Sequence, residues 1–138
     1  MDDPNIPSLL SLPYIGYYSN KDPVYQNTRK LIVSRWNSFF AKGEIVCDLT
    51  SPHIGVCDHF WPMATIMQAL SSDDDKEVVA CLQTLKCTHA GTFFIHESVD
   101  ADNEHSFTRH WFAWVNSLFG ELILKIYDNA QEILEQQM

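Results

Sequence analysis

Apolar residues return every three or four positions in several stretches of this chain, and those stretches predict helices. Residues 5–12, NIPSLLSL, read as a short helical turn closed by Pro13. Residues 22–36 predict the next helix: Asp22 suits its N-cap, Pro23 its first position, and Val24, Thr28, Leu31 and Ile32 form its apolar stripe. Phe60, Met63, Met67 and Leu70 recur at helical spacing, SSDDD makes a turn capped by Ser71 or Ser72, and Val78, Leu82 and Leu85 carry the helix that follows. Residues 60–87 therefore predict an antiparallel helical hairpin. The last helix runs from Phe107 or Arg109 into the 130s, with Trp111, Trp114, Val115, Leu118, Leu122 and Ile126 as a broad apolar stripe. Residues 37–59 and 88–106 carry no such stripe and predict two long loops. The expected fold is all-α: antiparallel helical hairpins with long loops, one unit over residues 1–138.

The final helix is so apolar that it needs neighbours on most of its circumference, and the chain supplies few. That predicts self-association, or a partner, on exposed apolar helix faces. Composition changes the picture little. The 138 residues are 46% hydrophobic, enough for one modest core. A net charge of −9 and a pI near 4.9 exclude a nucleic-acid or anionic-membrane partner, since both need a basic face. Residues 1–20 lack a basic n-region and are broken by three prolines, so no signal peptide is read there, and the compartment stays open. Asn116, Glu121 and Lys125 interrupt the most apolar stretch and argue against a membrane span. Cys47, Cys57, Cys81 and Cys87 form no CxxC pair; Cys47 and Cys57 share a loop and could bridge, but four buried thiols are the favoured expectation.

Candidate chemistry gathers in the two loops. Glu97, in the run GTFFIHES, is a carboxylate among aromatics, and desolvation makes such a group more basic, which suits abstraction of a proton from water. The competing reading is structural: a cap, or a salt bridge to Arg109. His96 beside it could hydrogen-bond a sugar hydroxyl or simply pack. His53, Cys57, His59 and His96 can be assembled into a metal set, but no pair has ligand-like spacing, so neither a metal nor another cofactor is expected. Trp61 and Trp111, each at a predicted helix start beside a loop, suit sugar stacking; Trp114 reads rather as core.

Three long motifs, SPHIGVCDHFWPMATIMQALSSDDD, AGTFFIHES and FTRHWFAWVNSLFGELIL, resemble glycoside hydrolase family 125 in content and order, as do MDDPNIPSLLSLPYIGY and DPVYQNTRKLIVSRWN. The resemblance implies part of an (α/α)6 toroid, specifically the C-terminal part of a catalytic domain. The implied activity is that of an inverting, metal-independent exo-α-1,6-mannosidase, with a mannose-containing glycan as partner. It makes Glu97 of the His-Glu-Ser motif the general base, puts Asp2, Asp3, Asn5 and His53 on pocket loops and sets Arg109 and Trp111 near the base; with His96 and Trp61 from the residues themselves, Asp3, His53, His96, Trp61, Arg109 and Trp111 are the expected substrate-binding groups. The segment bearing the general acid has no counterpart here, so the chain alone is expected to be inactive. The alternative is a non-catalytic helical module that binds glycans or a protein. Asp48 and Thr50 stand where the family usually has glycines, which predicts strain in that loop, and Phe93 also replaces a usual glycine.

Overall fold

The computed structural model describes residues 2–55, 58–129 and 131–135. A 3-10 turn at Leu9–Ser11 precedes α1, Pro23–Ile32. The Asp22 carboxylate caps α1, accepting from the backbone N–H groups of Val24 and Tyr25 at 2.8 and 3.2 Å, with Pro23 at the first position. The helix stops at Ile32, short of the predicted end, and its buried face is Tyr25, Arg29 and Ile32, of which the predicted stripe supplied Ile32 alone. Val24 and Leu31 face solvent. Two polar residues displace them inward because each finds a partner: the Tyr25 hydroxyl donates to the Leu10 carbonyl at 2.9 Å, and Arg29 pairs with Glu77 at 3.0 Å. A buried polar group with its hydrogen bonds made is tolerated where an unpaired one is not.

The helices α2, Pro62–Leu70, and α3, Asp75–Cys87, pack against each other, and α4, Ala113–Asn129, packs on α2. All of α2 except Gln68 is buried, so it is the central rod of the core. The cap of α3 is Asp74, whose carboxylate accepts from Lys76 N–H at 3.0 Å, and not Ser71 or Ser72. Ser71 ends α2, while the Ser72 hydroxyl is spent on Glu77. Val78, Leu82 and Leu85 are buried as their spacing predicts, joined by Cys81. On α4 the buried stripe is Val115, Leu118, Leu122 and Ile126; Trp111 and Trp114 are exposed, against the expectation that Trp114 is core. A short α5, Gln131–Glu135, follows and buries Ile133.

The all-α expectation, and with it the partial (α/α)6 toroid, is overturned by two small antiparallel sheets. Strands β1, Phe40–Lys42, and β2, Cys47–Leu49, form a hairpin in the register Phe40 to Leu49 and Lys42 to Cys47. Strands β3, His59–Phe60, β4, Ser98–Asp100, and β5, Phe107–Thr108, form the second sheet, with Phe60 opposite Val99 and Ser98 opposite Thr108. A single bridge from Thr50 to Phe60 links the two. Strands of two or three residues are too short to show an alternating pattern, so both segments read as loops. The turn of the first hairpin lies hard against the second sheet: a Cβ on Gly43 would sit 2.2 Å from the Ala101 carbonyl oxygen, which accepts from Ile45 and Val46.

The expected strain at Asp48 and Thr50 is absent, because both lie in extended backbone, on β2 and at the bridge. The non-glycine residues with positive φ are instead Ala90, Phe93 and Arg109, at 51°, 61° and 54°. Among the described cysteines the expectation of buried thiols holds for Cys81 alone. Cys47 and Cys87 are exposed and free, and Cys57 lies outside the described residues. Burial, with the nearby carboxylates Asp48 and Glu77, pushes the Cys81 thiol up to about 12. Among the described residues no helix is long and apolar enough to cross a membrane.

Candidate active site

Strand register brings three of the predicted site residues, Trp61, Glu97 and Arg109, to one end of a sheet. Phe60 pairs antiparallel with Val99, so Trp61, next along β3, leaves the sheet at the end where Glu97 enters β4. Thr108 pairs with Ser98, so Arg109 continues β5 at that same end, directly across from Glu97. The guanidinium closes the gap: Arg109 Nε–H donates to Glu97 Oε2 at 2.9 Å. Thr108 Oγ1 donates to the same oxygen at 3.3 Å and lies 2.9 Å from the Ser98 hydroxyl, which leaves Ser98 as donor to Thr108. The Glu97 side chain is 9% exposed and that of Arg109 59%, so the pair has one foot in the interior and one in solvent. Oε1 of Glu97 has no hydrogen-bond partner among the described residues.

His96 and Glu97 hold the same residue from two sides. His96 is fully buried, its Nδ1–H donating to the Arg109 carbonyl at 2.9 Å. That tautomer leaves Nε2 as acceptor, facing Thr92 Oγ1 at 3.1 Å. The imidazole lies flat on Phe107, centroids 3.7 Å apart and planes within 9°. Arg109 takes φ of +54°, a region unfavourable for a side-chain-bearing residue, and these two grips hold it there. Beyond, the guanidinium lies over the Phe112 ring at 5.4 Å. With both nitrogens engaged, His96 works on Arg109 rather than on open space.

A second group forms around the chain start. Asp3 Oδ1 accepts from the Ser51 hydroxyl at 2.8 Å and from Asn5 N–H at 3.0 Å. Ser51 Oγ in turn accepts from His53 N–H at 3.2 Å, capping the 3-10 turn Pro52–Ile54. The exposed His53 ring meets Trp61 edge-on at 5.9 Å. Trp61 is fully buried, and its Nε1–H has no partner among the described residues. Trp111 stands exposed just ahead of α4. No cluster of three or more His, Cys, Asp or Glu side chains suited to a metal ion occurs among the described residues.

Sequence reading missed Asn116, which fixes the strand carrying the base candidate. Its amide bonds both backbone groups of Ile95: Oδ1 accepts from the N–H at 3.1 Å and Nδ2 donates to the carbonyl at 2.8 Å. The signal was visible, since an asparagine inside an otherwise apolar helical stripe needs a partner. Thr92, Ser98 and Thr108 had no such signal.

Comparison with known proteins places the chain in a glycosidase family. The family model of metal-independent alpha-mannosidases, glycoside hydrolase family 125, matches residues 1–124, and the chain belongs to that family. It is 50% identical over 137 residues, 99% of its length, to the meiotically up-regulated gene 157 protein of Schizosaccharomyces pombe. It also superposes on a metal-independent alpha mannosidase from Streptococcus pneumoniae, solved as a non-productive complex with alpha-1,6-mannobiose. That match has a TM-score of 0.88 and 42% identity over 94% of the chain. The chain spans 27% of the yeast relative and 30% of the pneumococcal one.

Proposed function

We propose that these residues form the general-base side of an α-mannosidase site that acts on α-1,6-linked mannose. Glu97 takes a proton from a water molecule as that water attacks the anomeric carbon. The attack comes from the face opposite the departing oxygen and inverts the centre. The departing oxygen needs a proton from a second carboxyl group, and the family resemblance assigns that group to none of these residues. Arg109 holds Oε2, which orients the carboxylate and leaves Oε1 to meet the water. His96 acts one step back as a positioning residue, holding the Arg109 backbone. Asp3, His53 and Trp111 are the groups proposed to meet sugar hydroxyls and ring faces; Trp61, expected to stack on sugar, is fully buried and instead backs the His53 ring.

The observation that carries this reading is the half-engaged, nearly buried Glu97 carboxylate. A purely structural salt bridge needs neither burial of the acid nor an unused oxygen. Leaving-group protonation contributes roughly 10²–10⁴-fold to such reactions, so the isolated chain should release little or no mannose from α-1,6-mannobiose. The test grafts these 138 residues in place of the matching segment of the yeast relative. In an active chimera, Glu97→Gln should lower kcat by about 10²–10⁴-fold with little change in KM. Full activity in that variant, or turnover by the isolated chain, would overturn the proposal.

A further inference from the structure

We propose that two asparagines act as matched positioning residues, Asn37 for the Asp3 carboxylate and Asn116 for the Glu97 carboxylate, so that Asn37 governs sugar binding and Asn116 governs turnover. This rests on the roles proposed above for those two carboxylates. Asp2 leads into Asp3, and Ile95 leads into His96 and Glu97. Neither lies in a helix or strand, so neither has a ladder to take up its backbone N–H and C=O. An asparagine side chain does so in both cases. Asn37 Nδ2 donates to the Asp2 carbonyl at 3.0 Å, and its Oδ1 accepts from Asp2 N–H at 3.4 Å. Asn116 Nδ2 donates to the Ile95 carbonyl at 2.8 Å, and its Oδ1 accepts from Ile95 N–H at 3.1 Å.

The second N–H of each amide is tied to a helix end. Asn37 donates to the carbonyl of Ile32, the last residue of α1, at 3.2 Å. Asn116 donates to that of Phe112, just ahead of α4, at 2.8 Å. A carboxamide offers two N–H donors beside an acceptor oxygen, so one side chain can grip both backbone groups and the helix together. Each clamp thereby fixes the backbone that carries a site carboxylate. Each carboxylate then commits one oxygen to protein donors: Asp3 Oδ1 to Ser51 and Asn5, and Glu97 Oε2 to Arg109 and Thr108. The other oxygen, Asp3 Oδ2 or Glu97 Oε1, has no hydrogen-bond partner among the described residues. Where that free oxygen points is set by the backbone the asparagine holds.

The test uses the grafted chimera with α-1,6-mannobiose as substrate. Asn116→Ser should lower kcat about tenfold or more with KM held within about twofold, because a misplaced base slows the chemical step. Asn37→Ser should raise KM about tenfold with kcat held within about twofold. Asparagine to aspartate at either position keeps the acceptor half of the clamp and serves where a serine variant fails to fold. A double-mutant cycle separates positioning from general support of the fold. On an Asp3→Asn background, Asn37→Ser should change KM by less than about twofold further, and on Glu97→Gln the same should hold for Asn116→Ser and kcat. Four outcomes would overturn the inference: variants with native kinetics, variants that shift kcat and KM together, full losses on backgrounds already lacking the carboxylate, and loss of folding in both substitutions at a position. An Asp3→Asn variant with native KM would overturn the Asn37 assignment as well. Glu97→Gln alone tests the base itself: if it loses kcat while Asn116→Ser does not, the positioning role falls and the base stands.

Discussion

At the scale of single residues, the His96–Glu97 pair shows what spacing can and cannot reveal. The carboxylate among aromatics was legible, and so was Arg109 as its counter-ion, because a buried acid has few ways to be satisfied. The division of labour was not: one neighbour takes the Arg109 carbonyl and the other its guanidinium, a geometry set by a two-residue ladder with no pattern of its own. Phe93 is the opposite case. It stands where the family usually has glycine, and although the strain was expected at Asp48 and Thr50 instead, it is Phe93 that holds left-handed backbone, with φ of +61°. Left-handed φ costs a phenylalanine about 1–2 kcal/mol, and glycine loses about 0.5–1 kcal/mol in chain entropy, so Phe93→Gly should stabilise the isolated chain by about 0.5–1 kcal/mol in urea unfolding.

Elements join through buried polar contacts, and two of these should have opposite pH slopes. Burial raises Glu77, but hydrogen bonds from Arg29, Ser72 and Gln68 and the Arg29 charge outweigh it and hold the carboxyl below its usual 4.5. A lowered folded value stabilises above the unfolded one and is lost as pH falls through it. Arg29→Met should therefore cost about 2–4 kcal/mol at neutral pH, with the deficit from wild type shrinking in acid. Asp48 runs the other way. Burial raises its carboxyl, against hydrogen bonds from Thr65 at 2.7 Å and from Leu49. Its penalty is absent below 3.8 and grows as pH rises toward the elevated folded value. Asp48→Asn should thus be more stable than wild type at neutral pH, the two curves converging toward pH 3.8 in a urea series. The helices themselves were legible because ten or more residues of periodic pattern average out exceptions such as Arg29. The strands were too short for any average.

For the whole molecule, the periodic pattern predicted a helical hairpin over residues 60–87, and the first helix of that pair, α2, proves to be the centre of the core. What sequence reading could not give is the second dimension of the fold, since β3 pairs with β4 from far along the chain and the other pairings join strands of two or three residues. The thiols report this organisation. In the native chain Cys47 and Cys87 should react with a maleimide within minutes at pH 8, and Cys81 only on unfolding, as peptide mapping by mass spectrometry would record.

The contact of Gly43 with Ala101 has a reach beyond its own turn. It rivets one sheet to the strand whose other end enters from Glu97, so neither hairpin can swing alone. A lone methyl group added at position 43 would act as a wedge on that strand. It would disturb the mannosidase base candidate from the far side of the sheet, with no atom of the wedge near a sugar.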